Sequence, residues 1–182
     1  MMLSSPMRLH CTKKLAANLP PELLSGPTPA YFEGANRRLW DWHGHLVLLD
    51  RRQCVMFCHD LTRYLLVLPG LRAAEFKEIG RLHRELFLTT IAALGVSSSQ
   101  LAQLALLLGP LQIDCRTDRS VLGSLRVASD DLQFGYLPRV QNVLDLDPLA
   151  MSHQLNTRPC MAEKVLIWPA VVMKKLVEEA VQ

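Results

Sequence analysis

Residues 45–70 read HLVLLDRRQCVMFCHDLTRYLLVLPG, and this stretch decides the fold. It holds three apolar runs, at 45–49, 54–58 and 64–68, joined by the short polar connectors 50–53 and 60–63. Connectors this short allow only antiparallel neighbours, so the runs form a β-meander. The runs are almost wholly apolar, where a half-exposed sheet would alternate. Both faces of the meander therefore need cover, from helices or from a second subunit. Pro69-Gly70 ends the third strand.

Upstream, Met7-Arg8-Leu9-His10-Cys11 reads as a first strand, and Thr12 as the cap of a short helix over 15–18. Residues 20–37 carry prolines and glycines and read as one long loop. Downstream, Phe76, Ile79, His83, Leu86, Phe87, Ile91 and Leu94 recur at helical spacing, which predicts a helix over 72–94 stopped by Gly95. Ser97-Ser98-Ser99-Gln100 is a capping box opening a helix to 108, and Gly109-Pro110 ends it. Alternation over 111–115 predicts a strand. Thr117 or Asp118 caps a helix over 119–132. Asp147-Pro148 opens a helix over 148–154, residues 165–168 read as an edge strand, and Pro169 opens a terminal helix.

The chain has 182 residues, 49% of them hydrophobic and 20% charged. That is an ordinary globular balance, enough for one domain without a disulfide or a metal. The expectation is a single domain over 1–182, of α+β class: an antiparallel meander sheet of four to six strands packed with three to four helices. Five cysteines, an odd number, fit free thiols in a reducing cytoplasm. The N-terminus lacks the apolar run of a signal peptide, and no run of 18 apolar residues exists to span a membrane. A net charge of +3 permits an anionic partner without demanding one.

Several pieces of the chain carry a resemblance: MRLHCTKKL at 7–15, LWDWHGHLVLLDRRQCVMF at 39–57, RYLLVLPGLRAAEF at 63–76 and DRSVLGSL at 118–125, with a looser match at 165–178. Together they resemble a bacterial domain family of unknown function, six-nine-three-three in the usual numbering. The same pieces resemble the N-terminal part of plasmid open-reading-frame-three-like proteins. The resemblance implies a mobile-element or defence setting, and a start at Met7 with residues 1–6 as an extension. It implies no activity and no cofactor. Gly44 and His45 stand where the family tends to have Ala-Asn, and Cys54 and Cys58 lie outside its pattern.

Four constellations could carry chemistry. His43, His45, Cys54, Cys58 and His59 are metal-ligand types. With Arg51-Arg52 as a two-residue turn, His45 faces Cys58. Yet Cys54 and Cys58 on one strand stand about 13 Å apart, too far to share an ion. Both read as buried small hydrophobes, and neither metal nor cofactor is expected. Cys11 beside Lys13 and Lys14, with His43 as a base, is the candidate nucleophile of a small hydrolase or transferase. Lys13, Lys14, Arg37, Arg38, Arg51, Arg52, Arg63 and Arg119, interleaved with Trp40, Trp42 and His43, form a candidate anion-binding face. The same residues also read as a solvated surface, with the tryptophans packing one edge of the sheet. The fourth constellation is the meander itself, if helices leave one face for a partner. The leading reading is a non-enzymatic interaction or accessory module, with nucleic acid, a protein partner or a second copy as its target. The cysteine- and histidine-dependent enzyme is the alternative.

Overall fold

The computed structural model describes residues 5–24 and 39–182. Most of the expected loop, with Arg37 and Arg38, lies outside the described residues, as do residues 1–4 of the expected extension. A five-stranded sheet forms the centre. Its strands are β1 (Ser5–Cys11), β2 (Asp41–Leu49), β3 (Arg52–His59), β4 (Leu65–Leu68) and β5 (Leu108–Asp114), in the order β4-β3-β2-β1-β5. β2, β3 and β4 are the expected antiparallel meander. The sheet as a whole is mixed, not antiparallel, because β1 runs parallel to both β2 and β5. The long 12–40 segment lets the chain return to its starting end before β2 begins, and such a crossover gives a parallel pair.

Six α-helices, where three to four were expected, surround the sheet among the described residues. They are α1 (Lys13–Ala16), α2 (Ile79–Ala93), α3 (Ser98–Leu107), α4 (Arg119–Asp130), α5 (Pro148–Asn156) and α6 (Pro169–Ala180). Thr12, Ser97, Asp118 and Asp147 cap their helices through the side chain, as the sequence pattern anticipates. Residues 165–168 do not join the main sheet. β7 (Val165–Ile167) pairs only with β6 (Cys160–Ala162), as a separate hairpin.

The pleat sends alternate residues of the meander to opposite faces. Leu46, Val55, Phe57, Leu66 and Leu68 enter a core with Leu15 of α1, Phe87 of α2, Leu104 of α3 and Met173 of α6. Val47, Leu49, Cys54, Met56 and Val67 enter a second core with Val121 and Leu125 of α4 and Met151 and Leu155 of α5. The chain's own helices thus cover both faces, which explains the unbroken apolar runs without a second copy. Gly44 permits a close approach of α1 to the sheet. A Cβ there would come within 2.8 Å of Leu15 Cδ2, so α1 could not lie as near to β2.

Three local expectations shift. Gly109 and Pro110 lie inside β5, not before it. Pro110 falls at the irregular step between Ser5↔Leu108 and Met7↔Leu111 in an outermost strand, where a missing N–H is tolerated. The β2–β3 turn is Asp50-Arg51, with φ of 46° and 61°, instead of Arg51-Arg52. Cys58 therefore faces His43, and His45 faces Met56. The helix expected from 72 begins as a 3-10 turn at Glu75–Glu78 before α2.

At the other sheet edge, β4 is closed by one side chain. Asn156 of α5 accepts from Leu65 N–H at 2.7 Å, and its Nδ2 donates to the carbonyls of Leu65 and Ser152, each at 2.7 Å. The amide does what another strand would do for this edge. Asn156→Leu should cost about 2 kcal/mol, because it strands buried backbone groups. Urea unfolding measures this, and a change under 0.5 kcal/mol would refute the role.

Candidate functional site

Polar residues collect where β1, β2 and β5 lie side by side. From Met7 to Cys11 the even positions are polar and the odd ones apolar, so Arg8 and His10 share the face opposite Met7 and Leu9. Strand register sets Arg8 beside Asp41, and His10 between His43 and Asp114. Arg8 grips Asp41 with two parallel bonds, Nε at 2.7 Å and Nη2 at 2.9 Å. His10 Nδ1 meets Asp114 Oδ1 at 2.6 Å. The His10 and His43 rings lie 5.1 Å apart, tilted by 52°.

From His43 the network leaves the sheet. Its Nδ1 lies 2.7 Å from Asp60 Oδ1, and its Nε2 accepts the Asp118 N–H at 2.7 Å. Accepting at Nε2 places the ring hydrogen on Nδ1, donated to the Asp60 carboxylate. Asp118 Oδ1 accepts from Ser120 N and Val121 N, capping α4. The Val121 N–H leads the effects that hold the Asp118 carboxyl below its ordinary range, with Ser120 N–H, His43 and Arg63 adding to it against burial. Arg63 Nη2 donates to Ser120 Oγ at 3.1 Å, and its Nη1 donates to the Asp60 carbonyl. One chain of contacts therefore runs from β5 through His10 and His43 to Arg63.

This geometry bears on the enzyme candidates. A histidine base needs a nitrogen within reach of its substrate. His43 is 1% exposed and both its nitrogens are engaged, so it acts as a strut fastening the start of α4 to the meander. Cys11 is buried, and burial pushes its thiol far up, reinforced by Cys115 and Asp114. A nucleophilic cysteine needs the opposite shift. Among the described residues, no group of three or more His, Cys, Asp or Glu is placed to hold a metal. No helix among them is long and apolar enough to cross a membrane.

The candidate anion-binding residues divide. Trp40 and Trp42 are buried, and Trp42 meets His59, His83 and Phe87 edge-on inside the core. Arg63 is buried beneath α4, while Arg119 is exposed at its start. Lys13, Lys14, Arg51 and Arg52 are all exposed, the lysines at the start of α1 and the arginines at the β2–β3 turn and the start of β3. Arg52 shares the pleat face of Leu49 and Cys54, opposite the face that α1 covers. Asn18 links α1 to β3: its Nδ2 donates to Lys14 O at 2.9 Å, and its Oδ1 accepts from Gln53 Nε2 at 3.1 Å. Lys14 is also close enough to His45 to help lower its pKa, after burial.

Sequence reasoning missed His10, Asp60 and Ser120 as members of the network. The alternation in β1 already pointed to His10. Asp60 and Ser120 carry no comparable mark, because only the crossing of α4 brings them together. A family model described as "Domain of unknown function (DUF6933)" matches residues 8–172. No curated protein and no solved structure matches the chain.

Proposed function

Since the chain belongs to the DUF6933 family, whose name carries no activity, we propose from the geometry that it is a non-enzymatic binding module for nucleic acid. The observation that carries the reading is the exposure of Lys13, Lys14, Arg51 and Arg52, at the start of α1 and around the β2–β3 turn. None of the four forms an ion pair with a described carboxylate, whereas Arg8, Arg81 and Arg158 each do. Two of the placements cost local stability. Arg51 sits at φ 61°, a backbone region that costs a side chain on the order of 1 kcal/mol. Lys13 and Lys14 occupy the first turn of α1, the end where free N–H groups disfavour cations. Local rules broken in favour of charge mark a surface that uses the charge.

The partner that suits four exposed cations, unpaired among the described residues, is a phosphodiester backbone. With Trp40 and Trp42 inside the core, no tryptophan of the set is free to stack on bases. The contacts would therefore be to phosphate, and indifferent to sequence. Four phosphate contacts imply an affinity for duplex DNA that falls about 100-fold between 50 and 200 mM salt. Fluorescence anisotropy with a labelled 20-base-pair duplex measures it. The variant Lys13→Glu/Lys14→Glu/Arg51→Glu/Arg52→Glu should lose the binding at 50 mM salt. No binding by the parent protein at that salt, or equal binding by the variant, would sink the reading.

A further inference from the structure

The second core of the sheet does not close completely. Between α4 and the β6–β7 hairpin lies a cavity of about 530 Å³. That is within the range of small-molecule sites, roughly 300–1,000 Å³. Its walls are mostly apolar: Leu65, Val127, Leu155, Met161, Leu166 and Pro169. Arg63 and Ser120 supply a polar wall, and the Arg158–Asp131 ion pair, 2.7 Å long, supplies another.

Arg63 is the feature that needs explaining. It is only 3% exposed and sits at φ 56°. Its guanidinium donates to the Asp60 carbonyl and to Ser120 Oγ, while its Nε is buried without an acceptor. It forms no ion pair with a described carboxylate. The Asp60 carboxylate bonds to His43 and Asp118 Oδ1 caps α4; Asp118 lies near enough for Arg63 to help lower its pKa, without a direct ion pair between them. Arg158, by contrast, is neutralised by Asp131. A buried cation with an unpartnered N–H and no direct ion pair is costly, and so is a left-handed backbone at a bulky residue. Both costs fall on one residue, at a cavity wall.

Gly123 is the second observation. It lies inside α4 and lines the same cavity, and a Cβ there would meet nothing within 4 Å. A glycine inside a helix gives up stability that alanine would supply without a clash. Its bare backbone leaves this side of the cavity open.

The geometry points to a binding site for a small organic carboxylate with an apolar body, its carboxylate toward Arg63 and Ser120 and its chain along Leu65, Leu155 and Leu166. The ligand supplies the direct ion pair and the Nε acceptor that Arg63 lacks among the described residues, and the apolar walls take up the rest. This site shares no residue with Lys13, Lys14, Arg51 and Arg52. A carboxylate is favoured over a phosphate dianion because one buried guanidinium, with Asp131 on another wall, offsets a single negative charge.

The test uses sodium octanoate and 1-octanol as matched probes, with binding followed by isothermal titration calorimetry on the full chain. Octanoate should bind at least 10-fold more tightly than octanol. Gly123→Leu, which fills the open side with a good helix former, should weaken octanoate at least 10-fold with unchanged far-UV circular dichroism. Arg63→Met should erase the difference between the two probes. Equal binding of octanoate and octanol by the parent protein overturns the proposal, even if Arg63→Met fails to fold. Octanoate binding untouched by Gly123→Leu overturns it as well.

Discussion

Trp42→Ala should destabilise the protein by about 4 kcal/mol, the scale of an aromatic deletion in a packed core. The side chain is 0% exposed and sits among three rings: His59 at 5.0 Å, His83 at 4.7 Å and Phe87 at 5.2 Å, all edge-on. Each edge-to-face contact adds roughly 0.5–1.5 kcal/mol beyond the area buried. Neighbours drawn from both strand and helix cannot collapse into the void without moving α2 off the sheet. Since a typical domain has only about 5–15 kcal/mol in total, the variant should be partly unfolded at 37 °C. Trp168→Ala is the matched control, because Trp168 is 47% exposed and its loss should stay within about 0.5 kcal/mol. Urea midpoints compare the two. A Trp42→Ala cost below 2 kcal/mol would remove Trp42 from the core and return it to the surface.

The second large effect is acid lability centred on His83. Its ring is fully buried among Trp42 and Phe57, with Phe87 beside it, and neither ring nitrogen has a hydrogen-bond partner among the described residues. Burial lowers its pKa from 6.5 to about 3, and the nearby His59 adds to the shift. The folded state thus binds this proton less readily than the unfolded chain. Stability from His83 is fully present above pH 6.5 and is lost as the pH falls from there toward 3. At pH 4.5 the loss is about 3 kcal/mol, at 1.36 kcal/mol for each unit below the unfolded value. His83→Leu should remove that part of the pH dependence. It should also be neutral or stabilising at pH 7.5, since it replaces two unbonded polar atoms with apolar ones. Urea midpoints at pH 7.5 and 4.5, for parent and variant, give the comparison. An unchanged pH dependence in the variant would assign the acid lability to other groups.

Both predictions concern residues whose role the linear sequence left open. His83 falls on the apolar stripe of α2, so its burial was readable from helical spacing. Its ring partners were not, because Trp42 and Phe57 belong to different strands. Trp42 stood among basic residues and aromatics, a pattern that suits nucleic acid as well as it suits a core. In β2 it shares the pleat face of Leu46, which α2 covers, and that settles the choice. The exposed basic residues were legible in part. Lys13-Lys14 and Arg51-Arg52 were each visible as pairs, but the docking of α1 on β2 and β3 needs the Asn18–Gln53 bond and the room that Gly44 leaves for Leu15. The cavity and its arginine had no sequence mark beyond one basic residue in a connector.

The sequence alone determined the meander, the helix caps and the apolar character of both sheet faces. Each of these depends on residues a few positions apart, where spacing and backbone preference act directly. Tertiary structure decided the rest: the parallel placement of β1 between β2 and β5, the joining of His10, His43 and Asp118, and the burial of Arg63 beneath α4. These depend on segments 33 to 104 positions apart, as in the Arg8–Asp41, Arg63–Ser120 and His10–Asp114 contacts. Such contacts form only after chain entropy has been overcome by the packing of both cores, so no local pattern encodes them.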